Sequence, residues 1–183
     1  MNFDAMIDRR STLSVKWNPS AIATICNNPD AEPFWVADMD FTVPPAVHAE
    51  AKALAEHGIF GYPIATDQKK IFASFLEARH GMTVEEDEFA ISQGVLSSLA
   101  LAVELFSQEG DGVIVPLPAY APFLKIVKLH DRTLIPWPMT YDSDRHVFTL
   151  DWEYLDTIID RARLLIFCSP HNPTGIVFSE EEL

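Results

Sequence analysis

Short apolar segments alternating with amphipathic ones predict an α/β protein, a three-layer, mostly parallel sheet with helices on both faces. Three observations carry that reading. From Phe89 onward, strand-like and helix-like patterns take turns along the chain. Val113-Ile114-Val115 and Arg163–Cys168 are continuous apolar runs, as expected of strands buried on both faces. The chain has 183 residues, 48% of them hydrophobic, enough for one domain with a sizeable core.

The elements follow in order. Residues 1–45 have no clear period and many turn formers, among them Asn18-Pro19-Ser20, Asn27-Asn28-Pro29-Asp30 and Pro44-Pro45. They predict an extended arm with a short helix over Ser20–Cys26 and a short strand over Phe34-Trp35-Val36-Ala37. Asp38-Met39-Asp40-Phe41 after it is either a strand end with solvated acids or a segment lying along a cleft. Residues 46–183 predict the main α/β body. Pro44-Pro45 opens a helix whose apolar face is Val47, Ala51, Leu54 and Ala55, and Gly58 ends it. After the loop Ile59-Phe60-Gly61-Tyr62-Pro63, Asp67 caps a second helix that buries Ile71, Phe72, Phe75, Leu76 and Ala78 and stops at Gly81.

Phe89-Ala90-Ile91-Ser92 reads as a short strand, and Gly94 turns it into a helix reaching Phe106. The strand Val113–Val115 leads to the loop Pro116–Pro122 and a helix over Phe123–His130. Arg132–Trp137 is a strand. A polar loop precedes a helix from Leu150-Asp151 through Ile158-Ile159, then the strand Arg163–Cys168. Ser179-Glu180-Glu181-Glu182 reads as a helix N-cap followed by acids in the first turn.

Composition excludes several classes. The net charge is −14, which repels phosphate backbones, so nucleic acid and anionic membrane are poor partners. Cys26 and Cys168 are not paired by spacing and read as reduced thiols, as in the cytoplasm. No apolar segment follows a basic region at the N-terminus, and no run approaches a bilayer span. There is no CxxC or HExxH, so no metal site is expected.

Three loops at strand ends carry the candidate chemistry. In a parallel sheet such loops share one edge, where ligands bind. Gly94-Val95-Leu96 opens a helix, whose free N–H groups and dipole suit a phosphate. It lacks GxGxxG and the Walker lysine, so neither a dinucleotide nor a nucleoside triphosphate is indicated. Ala119-Tyr120 offers an aromatic face for a flat ring. Ser169-Pro170-His171-Asn172-Pro173-Thr174-Gly175, stiffened by two prolines, is either an ordinary turn or a rigid mount for the Asn172 amide. Together they describe a seat for a small phosphorylated aromatic cofactor.

With Asp40-Phe41-x-x-Pro44-Pro45, Gly61-Tyr62-Pro63, Gly94-Val95-Leu96, Pro118-Ala119-Tyr120-x-Pro122-Phe123 and Ser169–Gly175 in this order, the chain resembles the N-terminal half of a fold-type I pyridoxal-phosphate (PLP) enzyme. Phe34–Phe41 and Pro170–Gly175 are similar to one branch of the class I/II aminotransferases, the cystathionine β-lyase-like C–S lyases. The resemblance implies that residues 1–45 are an arm or part of a small domain, and 46–183 the first part of the large PLP-binding domain. It implies that Val95 and Leu96 N–H groups bind the cofactor phosphate, that Tyr120 stacks on the pyridine ring and that Asn172 bonds its phenolic oxygen. Tyr62 would reach the phosphate of a neighbouring subunit, implying a homodimer, and Ala37 would lie near the substrate carboxylate.

In that family the Schiff-base lysine follows the Asn-Pro-Thr-Gly loop, so it is expected beyond Leu183. None of Lys16, Lys52, Lys69, Lys70, Lys125 and Lys128 matches its motif, and no catalytic residue is assigned. The chain therefore reads as truncated before the C-terminal part. The implied activity is C–S β-lysis or transamination of an amino acid, with the segment Trp35–Phe41 favouring lysis. The alternative is a non-catalytic remnant that binds cofactor or dimerises.

Overall fold

A computed structural model describes residues 2–62 and 67–183. The chain forms two compact units, Met1–Thr66 and Asp67–Leu183. Pro63, part of the Gly-Tyr-Pro motif, lies outside the described residues.

The first unit holds helices α1 (Pro19–Cys26) and α2 (Pro45–His57). The Asn18 side chain caps α1 by accepting from the N–H groups of Ser20 and Ala21, at 3.0 and 3.1 Å. Gly58, with φ +69°, ends α2 in the left-handed conformation that glycine adopts without penalty. Two expectations fail here. Phe34–Ala37 forms no strand: Val36 sits at φ +54°, outside the extended region, and Phe34 is 95% exposed. The apolar face of α2 is not covered within the described residues; Val47 and Leu54 are both more than half exposed.

The second unit contains α3 (Gln68–His80), α4 (Val95–Phe106), β1 (Gly112–Leu117), α5 (Ala121–Leu129), β2 (Thr133–Asp142), β3 (Val147–Leu150), α6 (Trp152–Ile158) and β4 (Ala162–Leu165). The sheet order is β3-β2-β1-β4. β1 runs parallel to both β2 and β4, whereas β3 returns antiparallel to β2. The parallel centre agrees with the predicted class, and alternate residues of β1 point to opposite faces. Val113 and Val115 pack with Val127 and Ile166 beneath Leu99 of α4 and Phe123 and Leu124 of α5. Ile114 packs on the other face with Ile135, Trp137 and Leu150, under Ile158 of α6 and Phe178. Both faces are thus covered, giving the three layers. Trp137, fully buried, donates its indole N–H to the Asp151 carbonyl at 2.7 Å, so its polar atom is satisfied in the core.

Four further expectations are corrected. Phe89–Ser92 has strand-like composition but no ladder partner among the described residues, and Ile91 is 59% exposed. β3 falls where a polar loop was expected: Asp142 accepts from the N–H groups of Asp144 and Arg145 (2.9 and 3.0 Å), an Asx turn that folds the chain back into a hairpin. Ser179 starts a turn, not a helix. Glu182 accepts from its N–H at 2.8 Å and its hydroxyl at 2.9 Å, contacts that also hold the Glu182 carboxyl below the usual range. Asp67 stands at the start of α3 without capping it, and the apolar face of α3 stays largely open, with Ile71 66% exposed.

Candidate cofactor site

Two of the three candidate loops follow adjacent parallel strands. In the ladder Ile114 pairs with Leu165, and Ile166 N–H donates to the Ile114 carbonyl at 3.0 Å. Counting along each chain, Tyr120 stands six residues beyond Ile114 and Asn172 seven beyond Leu165. Their loops leave the same sheet edge side by side. The third feature reaches that edge from α4. At its C-terminus, Arg132, just before β2, donates through Nη2 to the Ser107 carbonyl (2.7 Å) and through Nε to the Ser107 hydroxyl (2.9 Å). Arg163 of β4 donates to the Phe106 carbonyl at 3.2 Å. The C-terminus of α4 is therefore tied to the amino ends of β2 and β4. A helix of this length spans about 18 Å and a strand like β1 about 20 Å, so α4 runs back along the sheet and its N-terminus faces the carboxyl edge.

Local chemistry leaves that N-terminus receptive. Gly94 at φ +139° precedes α4 with no side-chain cap, so the first-turn N–H groups of Val95 and Leu96 have no intrahelical acceptor. Ser92 and Ser98 brace the turn, their hydroxyls 2.5 Å apart. A cavity of about 380 Å³ opens beside it, lined by Gly94, Val95 and Ser98 together with Lys69, Phe72 and Phe89. Lys69 is a neighbour that the sequence did not announce, because it comes from α3 and no local motif links it to Gly94.

Tyr120 is the N-cap of α5, its ring 39% exposed and edge-on to Phe123 at 5.4 Å. The Asn172 loop is held from below. His171 is 4% exposed, its Nδ1 lies 2.9 Å from the Thr174 hydroxyl, and its ring meets Phe178 edge-on. Its N–H donates to the Ile176 carbonyl and its carbonyl accepts from Gly175 N–H, both at 2.7 Å. Gly175, at φ +74°, permits this closure. Burial pushes the His171 pKa down, so the imidazole is neutral. Asn172, next to this anchor, is exposed.

Free helix N–H groups at Val95 and Leu96, the Tyr120 ring and the exposed Asn172 amide are groups of the kind that bind a phosphate, a flat ring and a phenolic oxygen. In the first unit Tyr62 is fully exposed, and Ala37 lies in an exposed stretch between Trp35 and Asp38.

The fold and this edge define a class, the large domain of PLP-dependent transferases. The family described as aminotransferase class I and II matches residues 35–183, and the chain belongs to it. The chain is 36% identical to the cystathionine β-lyase PatB of Bacillus subtilis (strain 168) over 186 residues, covering 100% of this chain and 47% of that protein. It is 34% identical to the cystathionine β-lyase of Corynebacterium glutamicum, covering 99% of this chain and 46% of that protein. Among solved structures it is similar to cystalysin from Treponema denticola, which contains a pyridoxal 5′-phosphate cofactor, with TM-score 0.86 and 30% identity over 99% of this chain and 46% of that one. The PLP-bound C-S lyase from Staphylococcus hominis gives TM-score 0.83 and 26% identity, over 100% and 46%. The chain thus spans about half the length of the relatives it matches. The family is PLP-dependent, so the recognition made from the ordered motifs holds.

Proposed function

We propose that this chain carries the cofactor seat of a PLP-dependent enzyme acting on amino acids, a C–S β-lyase of the cystathionine type in preference to an aminotransferase. The observation that supports it most is that the loops carrying Tyr120 and Asn172 follow the adjacent parallel strands β1 and β4. When bound, the cofactor supplies a pyridine ring that draws electron density from the substrate α-carbon. The residues present have defined tasks on this reading. Val95 and Leu96 N–H groups hold the phosphate at the positive end of α4. Tyr120 covers one ring face and fixes its tilt. Asn172 donates to the phenolic oxygen, and neutral His171 keeps the amide from swinging away. Ala37 is the residue proposed to serve the substrate carboxylate. None of the six lysines is assigned the covalent role, which the family places after the Asn-Pro-Thr-Gly loop.

The preference for β-lysis rests on the lyase names of the relatives above. Tyr62, fully exposed, is proposed to reach the cofactor of a second copy in a homodimer. A cytoplasmic location is proposed from the two free thiols. A second reading is cofactor binding without turnover by the residues present, none of whose six lysines carries the motif of the covalent one.

The test is equilibrium dialysis of the chain against PLP, with cystathionine turnover measured in parallel. Saturable binding that weakens at least tenfold in Asn172→Ala supports the seat; binding indifferent to both Asn172→Ala and Tyr120→Ala would overturn it. Homocysteine and pyruvate in equal amounts indicate lysis. Bound cofactor with neither product selects the second reading.

A further inference from the structure

Tyr120 and Phe123 stand one turn apart at the start of α5. Tyr120 is the N-cap, with φ −60° and ψ 115°, and its side chain makes no capping bond. Phe123 N–H donates to the Tyr120 carbonyl at 2.9 Å, which closes the first turn. Residues three and four apart share a helix face, so Phe123 lies in line with Ile126 and Val127, the buried residues of α5. Phe123 packs against the cluster that Val127 forms with Val113, Val115 and Ile166. Tyr120, one step further back, forms the outer end of this stripe and is 39% exposed.

The two rings meet with 5.4 Å between centroids and their planes 88° apart. This is the edge-to-face geometry that the aromatic quadrupole favours. One ring can cover only one face of another, so at least one face of Tyr120 is left uncovered by Phe123. The contact also resists rotation of Tyr120, because turning its ring gives up the perpendicular alignment. A half-exposed tyrosine with nothing against it would sample several rotamers. This one is backed by a ring that is itself pinned to the core. A side chain ordered before its ligand arrives loses less freedom on binding, so the restraint favours affinity.

We propose that Phe123 is a positioning residue that fixes the ring plane of Tyr120 in advance, so that a flat ligand meets a stacking partner already oriented. This rests on the reading above that Tyr120 stacks on the cofactor's pyridine ring. Phe123 acts through Tyr120 and touches no reacting atom.

Pyridoxamine phosphate tests it on the 183-residue chain, since this probe carries ring and phosphate but no aldehyde to react with surface lysines. Equilibrium dialysis gives its affinity. The proton signal of its 2-methyl group reports stacking, because a tyrosine ring current moves that signal upfield. Phe123→Leu keeps an apolar side chain on the core and removes the ring. It should weaken binding about threefold, part of the roughly tenfold expected of Tyr120→Ala, and lose about half of the upfield shift at saturation. Phe123→Tyr retains the ring edge and should keep both. Phe123→Met, nearer in length, serves if Phe123→Leu does not fold. Leu134→Ala loosens the same core from β2; it should lower Tm yet leave affinity and shift as in wild type. Unchanged affinity and shift in Phe123→Leu, with binding weakened in Tyr120→Ala, would overturn the positioning role alone. Equal losses in Leu134→Ala would show a general loosening of the core and overturn it as well. Wild type that fails to bind the probe, or binds it with no dependence on Tyr120, would sink the stacking reading and the positioning role with it.

Discussion

Gly112 opens β1, and its lack of a side chain sets how closely β1 and β4 approach. A Cβ added there would stand 2.5 Å from Ile135 Cδ1, 3.1 Å from the Arg161 carbonyl carbon and closer still to that carbonyl's oxygen. Carbon atoms pack comfortably at about 3.5–4.0 Å, so the Ile135 methyl must retreat by ~1 Å or more. It has little room, since Ile135 is 3% exposed against Ile114, Trp137 and Leu150. Arg161 offers no relief, because its oxygen belongs to the backbone entering β4, where Gly112 pairs with Ala162. Overpacking of this kind costs about 1–3 kcal/mol, and a backbone neighbour argues for ~3. Gly→Ala also stiffens the unfolded chain, returning about 0.4–1 kcal/mol. The net for Gly112→Ala is a loss of ~2 kcal/mol, or about 4–8 °C in Tm for a chain of this size. Thermal unfolding followed by near-UV circular dichroism measures it, with Gly61→Ala as control, since a Cβ there meets nothing within 4 Å. A Gly112→Ala Tm within 1–2 °C of the control would refute the packing argument and the tight β1–β4 approach behind it.

Other outcomes follow from the same geometry. His171 has a folded pKa below its unfolded value of about 6.5, so its contribution is whole above that pH and drains away as pH falls below it. The Tm difference between wild type and His171→Asn should therefore shrink from pH 7.5 to pH 5, and a constant difference would show that the ring is not held neutral. Thr174→Val removes the hydroxyl partner of His171 Nδ1; it should cost about 1 kcal/mol in urea unfolding and loosen PLP binding through Asn172. Tyr120→Phe should leave PLP affinity within twofold while Tyr120→Ala weakens it about tenfold, because stacking uses the ring and not the hydroxyl; equal effects of the two would exclude stacking.

Local chemistry was legible in the sequence where one residue type imposes one backbone state. Gly58 and Gly81 stop their helices at positive φ as expected, whereas Asn18 and Asp151, expected as a turn former and a helix start, serve as the caps of α1 and α6. The buried parallel strands were legible because β1 is apolar on both faces. Pairing is a different matter. Phe89–Ser92 looks like a strand but finds no ladder partner among the described residues, while Val147–Leu150 becomes one because the Asp142 turn delivers it to β2. The ion pairs of Asp38 and Asp40 were illegible for a related reason. Their cations come from Arg9 and Lys16, 29 and 24 positions away from the acids they meet, and nothing local distinguishes a committed carboxylate from a solvated one.

The net charge of −14 at first argues against a dianionic cofactor. Distance resolves the conflict, because at physiological ionic strength charges are screened beyond about 8 Å, and what a phosphate meets is the set of groups beside it. In the second unit the acid–base network of Glu104, His130 and Arg132 sits with the C-terminus of α4, the end opposite Gly94. The His130 ring and the Arg132 charge hold the Glu104 pKa below the usual carboxylate value. At the other end, the cavity wall beside Val95 contributes Lys69 and, among the described residues, no carboxylate. The helix adds the equivalent of about half a positive charge there through its unpaired N–H groups. An acidic protein can therefore offer an anion a helix terminus from which its acids are kept away. An acid placed there tests the point directly: Ser98→Asp, one turn into α4, should weaken PLP binding far more than Glu104→Gln strengthens it. Equal and opposite effects would mean that the bulk charge, not the local edge, governs affinity.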